Sequence, residues 1–167
     1  MDKLCNSFQK FNLKNKLIKN IQFNKTYTYK FENISFDNLP KDTIYEIYKD
    51  GRVFSHLIER WIENVFPLKW IPKCKTYDFI DINHNQYDQK TFTKNGCKFM
   101  PSNMIGTGRK FNKEKFLEKS KLLNYIIVDN IEFPLIKLKF IKGIELSQKY
   151  PKGVIKLKDR NTFFYNT

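Results

Sequence analysis

Apolar residues recur at two spacings along the chain, and the changes between them divide it into predicted elements. Over residues 2–22, Leu4, Phe8, Phe11, Leu17, Ile18 and Ile21 fall at near-helical spacing with lysines between them, which predicts an amphipathic helix. Tyr27, Tyr29 and Phe31 alternate, so residues 25–36 read as extended. Residues 41–49 predict a short helix that Asp50-Gly51 ends. A stronger helix is predicted over residues 52–66. There Phe54, Leu57, Ile58, Trp61, Ile62, Val65 and Phe66 make one continuous face, and Pro67 and Pro72 stop it.

Beyond that helix the spacing shortens. Residues 76–82 and 86–93 read as two strands joined through Asn83-His84-Asn85, residue types that tolerate turn conformations, so a hairpin is expected. Asn95-Gly96 marks a further turn, and residues 97–100 suggest a third strand. A Gly-, Ser- and Asn-rich loop spans residues 101–111, and Asn112 is placed to cap a helix reaching about residue 123. Residues 125–128 form an apolar, buried strand. Residues 135–141 and 154–157 read as strands, with a helical turn at 145–148 between them. No internal repeat or Gly/Ser linker interrupts this order. The expectation is one α/β (α+β) domain over residues 1–167, a mixed central sheet flanked by helices. Residues 1–50 form a helical or extended addition, and residues 131–167 add C-terminal strands.

Charge narrows the partners. Lys and Arg number 31 against 17 acidic residues, a formal net charge of +14, which favours a polyanion. The chain has no Ala, only four Arg and abundant Lys, Asn, Ile, Phe and Tyr. An AT-rich coding bias yields that pattern and inflates Lys, but it does not impose an acid deficit. Nucleic acid is therefore the expected partner, ahead of an acidic membrane surface, for which no separate basic amphipathic segment is present. Cys5, Cys74 and Cys97 have no C-x-x-C spacing, which argues against a disulfide scaffold or a cysteine zinc site. No run approaches 18 apolar residues, and Lys10, Lys14, Lys16 and Lys19 interrupt any apolar signal core. These features predict a soluble, cytoplasmic protein without a membrane span.

Three side chains in the hairpin carry candidate chemistry: Asp78 in YDFID, and Asp88 and Lys90 in YDQKTFT. Asp88 and Lys90 are two apart on a strand and share a face. With the turn centred on His84, Asp78 is set opposite Lys90 and Ile80 opposite Asp88, while Asp81 and Tyr87 fall on the other face. A one-residue slip would reverse that choice between Asp78 and Asp81. Two carboxylates can hold Mg²⁺ through oxygen and leave positions for water and a phosphate oxygen. The lysine can orient or deprotonate that water, or stabilise developing charge. A D/E-x-K triplet occurs once in the chain, at Asp88, and alone it is weak. A cross-strand Asp–Lys pair is also an ordinary hairpin surface feature. Placement adds weight: a helix precedes both strands, an acid sits on the first, and the domain is basic.

At this point residues 52–130 resemble the PD-(D/E)XK nuclease superfamily, and within it the small type II restriction endonucleases. The resemblance implies a helix–strand–strand–strand–helix–strand core. It implies metal ligation by Asp78 and Asp88, with the main-chain carbonyl of Gln89 in the same shell and Lys90 as the family lysine. Glu59 in HLIERW is the candidate for a further helix glutamate; Glu63 is expected to point further toward solvent. Tyr77 stands where the family places Pro, and Gln89 is polar where its middle residue is usually apolar, which leaves open a frayed or solvent-facing second strand.

Other segments offer contacts. In residues 100–112, Ser102, Asn103, Thr107, Arg109 and Lys110 are candidate donors to DNA phosphates or base edges, with Gly106 and Gly108 permitting close approach. The loop lacks the P-loop pattern. Lys137, Lys139, Lys156 and Lys158 alternate with apolar residues, as on a solvated sheet face or a phosphate-tracking stripe. His56 and His84 fit helix-surface and turn roles, and Tyr87, Phe92 and Phe99 fit core roles. The reading is a Mg²⁺-dependent endonuclease of double-stranded DNA, of type II restriction character, leaving a 5′-phosphate and a 3′-hydroxyl and acting as a homodimer on two-fold DNA. A homing, junction or repair nuclease, or a non-catalytic nucleic-acid-binding module, are the competing readings.

Overall fold

The computed structural model describes residues 16–165. The described residues form five α-helices and eight strands, in the order β1 (Thr26–Lys30), α1 (Lys41–Lys49), α2 (Gly51–Val65), β2 (Lys69–Trp70), β3 (Phe79–Ile80), β4 (Gln86–Phe92), β5 (Cys97–Lys98), α3 (Lys113–Leu122), β6 (Leu123–Asp129), β7 (Leu135–Lys142), α4 (Gly143–Lys149), β8 (Val154–Ile155) and α5 (Arg160–Tyr165). The main sheet has six strands in the order β1-β7-β6-β4-β3-β2; β5 and β8 pair separately. Only β4 and β6 run parallel, so the sheet is mixed. No described helix is long and apolar enough to cross a membrane.

The strand alternation sends side chains into two cores. Tyr87, Ile126, Val128, Ile136, Leu138 and Phe140 join Phe54, Ile58, Ile62 and Val65 of α2 on one face. Phe92, Tyr125, Ile127 and Ile141 join Phe116 of α3, Leu146 of α4 and Phe163 of α5 on the other. β6, in the middle, is therefore apolar on both sides, which explains its continuous hydrophobic run. The α2 stripe repeats every three or four residues because that is the period that keeps one face on the sheet. Its first turn is held by the Asp50 side chain, which accepts from the Arg52 N–H. Asn112 caps α3 in the same way, accepting from the Lys115 N–H.

Several expectations change. Most of the predicted N-terminal helix, including Leu4, Phe8 and Phe11, lies outside the described residues, but 16–22 are not helical. Within residues 16–50, β1 pairs with β7 and forms one edge of the main sheet. The segment at 97–98 does not extend the main sheet. Gly96, at a φ of +84°, reverses the chain after β4 and brings β5 to β8, and a Cβ there would stand 2.3 Å from the Ile155 carbonyl oxygen. The third strand of the antiparallel run is instead β2, two residues that carry no strand signal of their own. Lys137 and Lys139 are buried rather than a solvated stripe. The Lys139 Nζ donates to the Phe163 carbonyl at 2.7 Å, and Lys137 lies over the Tyr165 ring, both in α5. Arg160 fixes that helix through a 2.6 Å bond to Asp129.

Candidate active site

The hairpin turn forms where expected. His84 adopts a φ of +62° and its N–H bonds the Asp81 carbonyl, while the Asp81 carboxylate accepts from the Asn83 and Asn85 N–H groups. Asp81 also accepts from the Tyr87 hydroxyl at 3.0 Å. Its oxygens are thus spent on the turn. The register differs by two residues from the expected one: Phe79 faces Tyr87, and Ile80 faces Gln86 rather than Asp88. Two is an even number, so Asp78 keeps to the side of Asp88 and Lys90.

β4 carries the site into the middle of the sheet, between β3 and β6. Asp88 is buried, and its Oδ1 accepts from Lys90 Nζ at 2.8 Å. Asp78, just ahead of β3, donates its N–H to the Tyr87 carbonyl, and its Oδ2 accepts the Gln89 N–H at 2.7 Å. Asp78 therefore straddles Asp88. Burial, and then the charge of Asp88, push the Asp78 carboxyl up to about 7, against the pull of the Gln89 N–H and Lys90. Lys90 is also raised, but for the opposite reason. Burial works against its charge, yet Asp88 and Asp78 outweigh it and hold its ammonium above its ordinary value. Gln89 is buried with its amide on the Thr91 hydroxyl, so the second strand is neither frayed nor solvent-facing.

Three neighbours of the cluster escape a sequence reading. Lys119 of α3 reaches toward the second Asp88 oxygen, with its Nζ 3.9 Å away. Its azimuth next to buried Ser120 and three residues past buried Phe116 is the signal that would have found it. Tyr125 lies level with Asp88 across the β4–β6 pairing. Burial, with Asp88 adding to it, raises its phenol and keeps it protonated. Cys97, buried beside Lys90, is pushed by burial up to about 12 and stays a thiol.

Glu59 is not brought to the carboxylate pair in the expected way. Its Oε2 accepts from the Trp70 indole at 3.0 Å, and its charge is the smallest of the influences on Asp78. Glu63 does not point away to solvent: its Oε1 accepts from the Trp70 N–H at 3.2 Å, and its Oε2 pairs with Arg60 at 3.0 Å. Trp70, absent from the predicted strands, thus gathers both helix acids. Among the described residues, no group of three His, Cys, Asp or Glu is arranged to hold a metal ion.

The loop after β5 is exposed at Ser102, Asn103, Thr107, Arg109 and Lys110. Arg109 does not simply project outward. Its Nη1 donates to the carbonyls of Ser102 at 2.6 Å and Ile105 at 3.2 Å, so part of the guanidinium staples the loop to itself.

Asp78 and Asp88 offer carboxylate oxygens, the donor type that a hard divalent cation takes; Asp78 is raised by burial and then by Asp88. No family model matches this chain, and neither a curated protein nor a solved structure matches it.

Proposed function

We propose that this protein is a Mg²⁺-dependent endonuclease of double-stranded DNA, of the type II restriction class within the PD-(D/E)XK superfamily. The observation that carries the reading is the clustering of Asp78, Asp88 and Lys90 on the central strands, on a chain with a net charge of +14. It is supported by α2, the antiparallel β2–β3–β4 run, α3, and β6 parallel to β4, which follow the order the resemblance implies except that β5 comes between β4 and α3.

Asp78 and Asp88 would hold the ion, together with the Gln89 carbonyl that the resemblance implies. When bound, Mg²⁺ supplies acidified water and charge neutralisation at the scissile phosphate. The chain's own residues then divide the work. Lys90, held protonated by Asp88, acts as a hydrogen-bond donor that orients water and stabilises negative charge, rather than as the base. The Gln89 N–H fixes Asp78 by bonding one of its oxygens. Glu59, engaged by Trp70, acts as a distant negative charge, not as a ligand. The product would carry a 5′-phosphate and a 3′-hydroxyl, and a two-fold duplex site would call for a homodimer.

Plasmid cleavage with Mg²⁺ tests this reading. Asp88→Ala and Lys90→Ala should each lose about 100-fold or more of the wild-type rate. Equal cleavage by all three proteins would remove the assigned site. Discrete fragments from a short site support restriction, whereas one rare cut or structure-dependent nicking supports a homing or repair role.

One observation favours a second reading. Asp88 already faces two ammonium groups, Lys90 at 2.8 Å and Lys119 at 3.9 Å, as in a salt-bridged, non-catalytic DNA-binding module. Salt-sensitive DNA binding without affinity for a divalent ion would select that module.

A further inference from the structure

A groove of about 360 Å³ lies between α3 and the start of β4, with Thr76, Gln86, Lys115, Glu118, Lys119 and Leu122 among its walls, and Lys119 connects it to Asp88. We propose that this groove seats the DNA backbone phosphate next to the one at Asp88, with Lys119 and Lys115 as its ligands. The inference rests on the nuclease reading for which phosphate is the neighbour, not for the binding itself.

Lys119 links the groove to the site. Its Nζ lies 3.9 Å from Asp88 Oδ2, too far for the short charge-assisted bond that Lys90 makes at 2.8 Å. At that distance the ammonium makes no hydrogen bond to Asp88, which leaves its donors for an anion. Lys115 sits four residues earlier, on the same helix face and about 6 Å along the axis. That separation is close to one backbone step of a nucleic-acid strand. Lys115 is exposed and forms no ion pair among the described residues. Leu122, 74% exposed at the groove end, offers an apolar surface to a deoxyribose. Glu118 is the opposing charge: it stands in the same wall and weakens the hold on any anion.

These charges make opposite predictions at neighbouring positions, which a merely structural helix would not. Binding of a short fluorescent DNA duplex is measured by anisotropy across a salt series, with chelator present so that cleavage cannot occur. Lys115→Gln/Lys119→Gln should lower affinity and reduce the slope of log K against log salt by about 1 per lysine. Lys115→Arg/Lys119→Arg should keep the slope, and Glu118→Gln should raise affinity. An unchanged slope in the glutamine pair, an equal loss in the arginine pair, no gain in Glu118→Gln, or no duplex binding by wild type would each overturn the groove assignment. Should the glutamine pair fail to fold, Glu118→Gln alone decides. Cleavage plays no part in the readout. A protein that cuts DNA but keeps its slope loses the groove and retains the nuclease reading; one that binds as stated but never cuts does the reverse.

Discussion

Asp78 is the most costly ionisable group among those that place the site. Its carboxyl is raised from 3.8 to about 7, first by burial and then by Asp88. Between those two values the folded chain holds a proton that the unfolded chain has released. The stabilising contribution is full below about pH 4, declines as the pH rises toward 7, and stays lost above that. Asp78→Asn keeps an acceptor for the Gln89 N–H and removes the titration. In metal-free denaturant unfolding, it should be more stable than wild type at pH 8, by at most about 4 kcal/mol for a shift of this size, and closely matched at pH 4. An equal difference at both pH values would mean that the Asp78 charge is not what the fold bears. Asp78, Asp88 and Lys90 were legible from strand period and one triplet, and the two-residue register difference did no harm because parity alone decides the face. Trp70 was not legible as the partner of Glu59 and Glu63, since that contact depends on how α2 crosses the sheet.

The α2 helix was legible because its buried residues, Phe54, Ile58, Ile62 and Val65, repeat at helical spacing and little else competes for them. Ile62→Ala should therefore cost about 2–5 kcal/mol in urea unfolding, and a loss below 1 kcal/mol would deny that this stripe anchors the sheet. β2 and α5 were not legible. Lys69–Trp70 is too short to show a period, and Arg160–Tyr165 is a single short helix whose place is set by the Asp129–Arg160 bond. A strand after Asn95-Gly96 is legible, though it spans only Cys97–Lys98 of residues 97–100, and its partner is chosen by the Gly96 reversal, which local pattern does not encode. Gly96→Ala places a Cβ against the Ile155 carbonyl at a positive φ, so it should lower the unfolding midpoint clearly, at a cost of about 1–3 kcal/mol. An unchanged midpoint would mean that β5 and β8 pair for another reason.

Across the whole molecule, sheet and charge serve one arrangement. Both faces of β6 are covered, the sheet carries Asp88 at its centre, and the excess of 31 basic over 17 acidic residues gives the molecule a positive long-range field. Lysines counted as one stripe in sequence separate in space: Lys139 is buried on Phe163, whereas Lys156 and Lys158 remain exposed. Net charge was thus legible, but its distribution was not, because a lysine's exposure depends on which helix covers it. The central claim is that Asp78 and Asp88 gather a divalent ion for hydrolysis of DNA. Calorimetric titration of Mn²⁺ into wild type and Asp88→Asn tests it most directly. Saturable binding by wild type that disappears in Asp88→Asn is the predicted result; no binding by wild type, or the same isotherm for both proteins, would contradict it.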